Sequence, residues 1–84
     1  MSPPPPNSYH SLGVIYMEMK KEKEAVWAWE KELELYPAST YTYANLGLYY
    51  LGRKEIKKAR NYFEKAIHYN PDFKPGYYYL GLCK

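Results

Sequence analysis

Residues 41–73 read YTYANLGLYYLGRKEIKKARNYFEKAIHYNPDF, and this stretch decides the fold. Tyr43, Leu46, Gly47 and Tyr50 fall at i, i+3, i+4 and i+7, which places them on one face of a helix. Ala59, Phe63 and Ala66 keep the same periodicity further on and answer from a second helix. Gly52 offers a left-handed close to the first helix, and Ser39 or Thr40 an N-terminal cap. Pro71 ends the second helix, because a prolyl nitrogen has no N–H to donate and its ring clashes with the preceding turn. The stretch is therefore a helical hairpin. Gly47, which has no side chain, lets its two backbones approach closely.

The hairpin is a repeat. Tyr9, Tyr43 and Tyr77 lie 34 residues apart, as do Leu12, Leu46 and Leu80, and Gly13, Gly47 and Gly81. Tyr16 matches Tyr50, Ala25 matches Ala59, Trp29 matches Phe63, and Pro37 matches Pro71 at the same interval. Such a period signals stacked helical pairs. It predicts five helices, at about 7–19, 22–35, 40–51, 54–69 and 75–84, with Pro75 in the first turn of the last.

The second unit, Tyr43-x-x-Leu46-Gly47-x-x-Tyr50, then Ala59-x-x-x-Phe63-x-x-Ala66, then Pro71, resembles the tetratricopeptide repeat nearly residue for residue. The first unit departs once, with Glu32 where that family usually has alanine. The resemblance covers about residues 7–84 and implies an all-α, right-handed superhelix of antiparallel helices. It divides the chain into a proline-rich arm (1–6), one repeat (7–39), a second (40–73) and the first helix of a third (74–84). The four consecutive prolines of the arm favour an extended polyproline II segment and a linker role.

Bulk properties narrow the function. The chain has 84 residues, enough for one small domain, and a net charge of +3, too modest to call for nucleic acid. One cysteine excludes an intramolecular disulfide, and the N-terminal residues lack a leader pattern, so a cytoplasmic location is expected. His10, His68 and Cys83 lie in different units without metal-ligand spacing, so no metal and no cofactor are expected. The isolated glycines make no phosphate loop, and Glu30, Glu32 and Glu34 read as neighbours on a charged helix rather than an enclosed acid–base pair. Cys83 reads as a small thiol packed against the fourth helix. Enzymatic activity is not expected.

The resemblance further implies a groove lined by the first helix of each pair. Its positions fall here on Asn7, His10, Val14, Met17 and Glu18, then on Tyr41, Ala44, Leu48, Leu51 and Gly52, and then on Pro75, Tyr78 and Leu82. Relatives that hold a C-terminal carboxylate do so with a lysine, arginine and asparagine clamp. The corresponding residues here are His10, Val14, Asn45, Pro75 and Tyr79, of which only Asn45 keeps its type, so a carboxylate clamp is not expected.

The stripe Tyr41–Ala44–Leu48–Leu51 is a second apolar face on a helix that already has one. A surface helix ordinarily opposes its apolar face with a polar one. The expected partner is therefore a protein or peptide, an apolar or aromatic helix or extended segment lying along the groove. Tyr77, Leu80 and Gly81 form a further apolar face, expected to support self-association into a homo-oligomer at high concentration. The alternative function is a self-assembling structural unit, engineered or excised from a longer array, that oligomerises through the groove or the terminal face; a cut from a longer array, with residues 75–84 as an imperfect cap, competes with a second copy as the explanation of that face. The first repeat holds four lysines against six glutamates and the second six basic against three acidic groups, a polarity that favours head-to-tail stacking. The basic run Arg53–Arg60 offers a third reading, weak binding of nucleic acid or an acidic partner. No aromatic platform interleaves with it in the sequence pattern, so it reads as a solvated helix face.

Overall fold

The structure is a computed structural model and describes residues 5–83. Its five helices are α1 (Ser8–Glu18), α2 (Glu22–Leu35), α3 (Thr40–Gly52), α4 (Ile56–Tyr69) and α5 (Lys74–Leu82). Two compact units divide the chain, residues 1–37 and 38–84. Most of the proline arm lies outside the described residues.

In the first unit α1 packs on α2. Gly13 is buried, and a Cβ there would sit inside the indole of Trp29, so the glycine is what admits that ring. The indole N–H donates to the His10 carbonyl at 3.2 Å, satisfying a polar atom that burial would otherwise strand. Tyr9 and Trp27 meet edge to face, 5.9 Å between centroids.

In the second unit α3 packs on α4, and α4 on α5. Phe63 and Leu46 are fully buried. A Cβ on Gly47 would lie 2.5 Å from Phe63 Cε1, the counterpart of Gly13 and Trp29 one period earlier. Tyr43 and Tyr50 on α3 and Tyr62 and Tyr69 on α4 form a ladder of rings. Tyr69 stacks on Tyr43 at 5.6 Å, Tyr43 meets Tyr62 at 6.4 Å, and Tyr62 stacks on Tyr50 at 5.6 Å. Each pair of tyrosines lies seven residues apart on its own helix, so the pairs rise in register along the two antiparallel axes. α5 closes the other side of α4. Cys83 joins Ala59 and Phe63 in one buried cluster, Tyr79 lies 5.1 Å from the Phe63 ring, and a Cβ on Gly76 would meet Ile67 Cγ2 at 2.5 Å. Pro75 sits in the first turn of α5 as expected.

Three local expectations are corrected. Gly52 does not close α3 in the left-handed region; that conformation falls two residues later, on Lys54, with φ 64°. The Lys54 N–H donates to the Leu51 carbonyl at 3.0 Å and the Glu55 N–H to the Tyr50 carbonyl at 2.9 Å, the paired bonds of a Schellman close. α1 ends identically, with Lys20 at φ 63° and bonds from Lys20 to Met17 and Lys21 to Tyr16. Because Lys54 closes α3, α4 starts at Ile56 rather than 54. The Ser39 hydroxyl does not cap α3 and instead shares a 2.7 Å hydrogen bond with the Thr42 hydroxyl.

Candidate functional site

The second apolar stripe of α3 begins with Tyr41, whose ring stands edge-on to Phe73 at 5.4 Å. Phe73 is itself buried, so Tyr41 is braced from below while its outer surface stays in water. Leu48 follows two turns on, and half-buried Leu51 lies against Ala59 and Phe63. On α5 the positions one period after Ala44 and Leu48 are Tyr78 and Leu82. Tyr41, Leu48, Tyr78 and Leu82 remain 65%, 39%, 66% and 49% exposed. Ala44 is nearly fully buried, and Asn45 is half-buried with its polar side chain engaged. The side chains that α3 and α5 present to solvent along this register are thus aromatic and aliphatic, and neither helix carries an acidic residue.

Of the expected site residues in the first unit, Val14 and Met17 are half-buried on α1, one turn apart. Asn7 and His10 are committed differently. The buried Glu32 carboxylate accepts the Asn7 N–H at 2.9 Å on one oxygen and the His10 N–H at 3.3 Å on the other. It thereby serves two of the N–H groups that the start of a helix leaves without internal acceptors, and its charge lies at the positive end of the α1 dipole. Asn7 itself takes φ 73° at the N-cap. Glu32 is 1% exposed, so the expectation that it is one more unenclosed charge beside Glu30 and Glu34 is corrected. Its departure from the usual alanine is a capping device. Burial holds the His10 imidazole below its ordinary pKa, with the Glu32 charge opposing that shift.

Two rings from the end of α3 meet the basic run. Arg53 lies over Tyr49 at 5.7 Å and Lys58 over Tyr50 at 5.1 Å. Both cations also pair with Glu55, at 3.4 and 3.6 Å. Arg60 donates to the Cys83 carbonyl at 2.7 Å and so ties the end of α5 to α4. The run is in good part anchored to its own fold. Burial raises the Cys83 thiol pKa, against a smaller opposing effect of Arg60. Burial, followed by the charge and hydrogen bond of Tyr69, raises that of Tyr43.

Comparison with known families meets this geometry directly. A tetratricopeptide repeat model matches residues 40–73, and a second tetratricopeptide repeat model matches residues 6–39. The chain belongs to the tetratricopeptide repeat family. Tetratricopeptide repeats are protein-interaction scaffolds. No curated protein matches the chain. Among the described residues, no helix is long and apolar enough to cross a membrane, and no three His, Cys, Asp or Glu side chains gather to hold a metal ion.

Proposed function

We propose that the chain is a protein-binding module whose second unit captures an apolar or aromatic helix or extended peptide along Tyr41, Leu48, Leu51, Tyr78 and Leu82. One observation carries the reading: two helices of one small unit keep large apolar side chains in water on the same repeat register. Tyr41 adds most to it. A ring already braced on Phe73 loses little freedom when a partner covers it, so more of its apolar burial reaches the binding free energy. Nothing in the stripe favours an anionic ligand, since Asn45 is the single residue of the carboxylate clamp that is retained.

Peptides selected from a random display library against the full chain test the reading. The enriched sequences should be rich in apolar and aromatic residues. They should lose binding when Tyr41→Ser and Leu48→Ser are combined in a chain whose helicity is unchanged. Peptides that bind this variant as well as the parent would remove the stripe from the account.

A further inference from the structure

Two pairs of tyrosines bridge α3 and α4 with their rings parallel. Tyr43 and Tyr69 lie within 3° of parallel at 5.6 Å between centroids, and Tyr50 and Tyr62 within 2° at the same distance. Phenylalanine would pack the hairpin with the same rings. What it would not supply is the phenol, and at one pair the phenols meet. The Tyr43 and Tyr69 hydroxyls share a hydrogen bond, so these two rings approach at their oxygen-bearing ends. The carbons next to those ends, ortho to the hydroxyls, are the ones at which phenoxyl radicals couple. Exposure sets where an oxidant enters. Of the four rings Tyr69 alone is exposed, at 44%, while Tyr43 behind it is 7% exposed.

We propose that Tyr43 and Tyr69 are a site of oxidative modification, where a one-electron phenol oxidant joins them carbon to carbon as a dityrosine that staples α3 to α4. The first oxidation falls on exposed Tyr69, which loses an electron and gives its phenolic proton to water. A hydrogen atom then passes from the Tyr43 hydroxyl along the shared hydrogen bond, restoring the Tyr69 phenol and leaving the radical on Tyr43. The environment of Tyr43 suits a neutral radical. Burial disfavours its phenolate, and Lys65, 6.0 Å from the ring centroid, disfavours a radical that kept its proton and became a cation. The restored Tyr69 is oxidised a second time and again gives its proton to water. The two phenoxyls couple through a bond between ortho carbons, and the hydrogens on those carbons shift to the oxygens to restore both rings. The chain has lost two electrons and two protons. Hydrogen peroxide, acting through a peroxidase, accepts them and becomes two waters. Neither tyrosine belongs to the Tyr41–Leu48 stripe, so the inference stands apart from the function proposed above.

The test treats the full chain, at high dilution, with a haem peroxidase and hydrogen peroxide, and recovers the monomer by gel filtration. Its intact mass should fall by two hydrogens, and fragmentation of its proteolytic peptides should show Tyr43 joined to Tyr69. Tyr43→Phe and Tyr69→Phe keep the rings and remove one phenol each, so either should abolish the monomeric product with helicity unchanged. Tyr50→Phe should leave the product in place. The cross-linked monomer should melt at a higher temperature than the untreated chain, because a bond that fits the native geometry restricts the unfolded chain. The peptide map of the unaltered chain decides the matter even where a variant fails to fold. A monomer joined at other tyrosines, products confined to intermolecular dimers, survival of the monomeric product in a folded Tyr69→Phe chain, or a lowered melting temperature would overturn the inference.

Discussion

Gly47 and Gly81 stand at the same position of the repeat, each following a leucine, yet alanine should act on them in opposite directions. In a helix, alanine is favoured over glycine by about 1 kcal/mol in the interior and by less in the last turn. At Gly47 the new methyl would lie 2.5, 2.7 and 2.8 Å from three atoms of the Phe63 ring. That is about 1 Å inside the ordinary carbon–carbon separation of ~3.5–4.0 Å. Phe63 is fully buried between α3 and α5, so the ring cannot swing clear without moving Tyr79 or a helix. Overpacking of this kind costs about 1–3 kcal/mol. Set against the gain in propensity, Gly47→Ala should destabilise by up to about 2 kcal/mol. Gly81→Ala meets no atom of the described residues and should stabilise by about 0.5 kcal/mol, the propensity gain near a helix end. Urea unfolding followed by circular dichroism measures both against the parent chain. For a chain of this size the gap between the variants, up to about 2.5 kcal/mol, corresponds to as much as roughly 10–20 °C in Tm. Equal effects at the two positions, or stabilisation by Gly47→Ala, would refute the claim that Phe63 fills the space over Gly47 while no described residue fills that over Gly81.

Further outcomes follow from the local geometry. Glu32→Gln keeps the size of the side chain but leaves one of the two backbone donors facing an amide N–H₂; urea unfolding should register a loss of about 2 kcal/mol. Lys54→Gly relieves a left-handed conformation that costs a lysine about 1–2 kcal/mol, less glycine's greater entropy in the unfolded chain, so thermal melts should show a net gain of about 0.5–1 kcal/mol. The His10 pKa is lower folded than unfolded, so the unfolded chain binds the proton more readily. Its contribution to stability is complete above the ordinary histidine pKa of about 6.5 and is lost as pH falls through that value toward the folded one. Urea midpoints taken between neutral pH and mild acid should fall in that window, by less in His10→Gln.

Much of the fold is legible in the sequence because its signals are periodic. The 34-residue interval, the apolar spacing within each helix and the prolines at Pro37 and Pro71 all describe the same hairpins. What stays hidden depends on groups without a periodic mark. Glu32 looks like one charge among several on α2, since the donors that need it are main-chain N–H groups 22 and 25 residues earlier. The left-handed residue falls on Lys54 rather than Gly52 because the paired Schellman bonds fix its place, and a glycine nearby is only a hint. The tyrosine ladder had a signal, the seven-residue spacing of Tyr43 with Tyr50 and of Tyr62 with Tyr69. That spacing gains meaning once the two helices are known to lie antiparallel in register. The stripe Tyr41–Leu48 was legible as a surplus apolar face, and its exposure is a property of the packed unit.

The central claim is that the exposed stripe of the second unit is a protein-binding surface. Its most direct test is a map of amide chemical-shift changes when a display-selected apolar peptide is titrated into the isotopically labelled full chain. The largest changes should fall at Tyr41, Leu48, Leu51, Tyr78 and Leu82 and should vanish in the Tyr41→Ser, Leu48→Ser chain. Changes confined to the basic run Arg53–Arg60, or persisting in that variant, would contradict it.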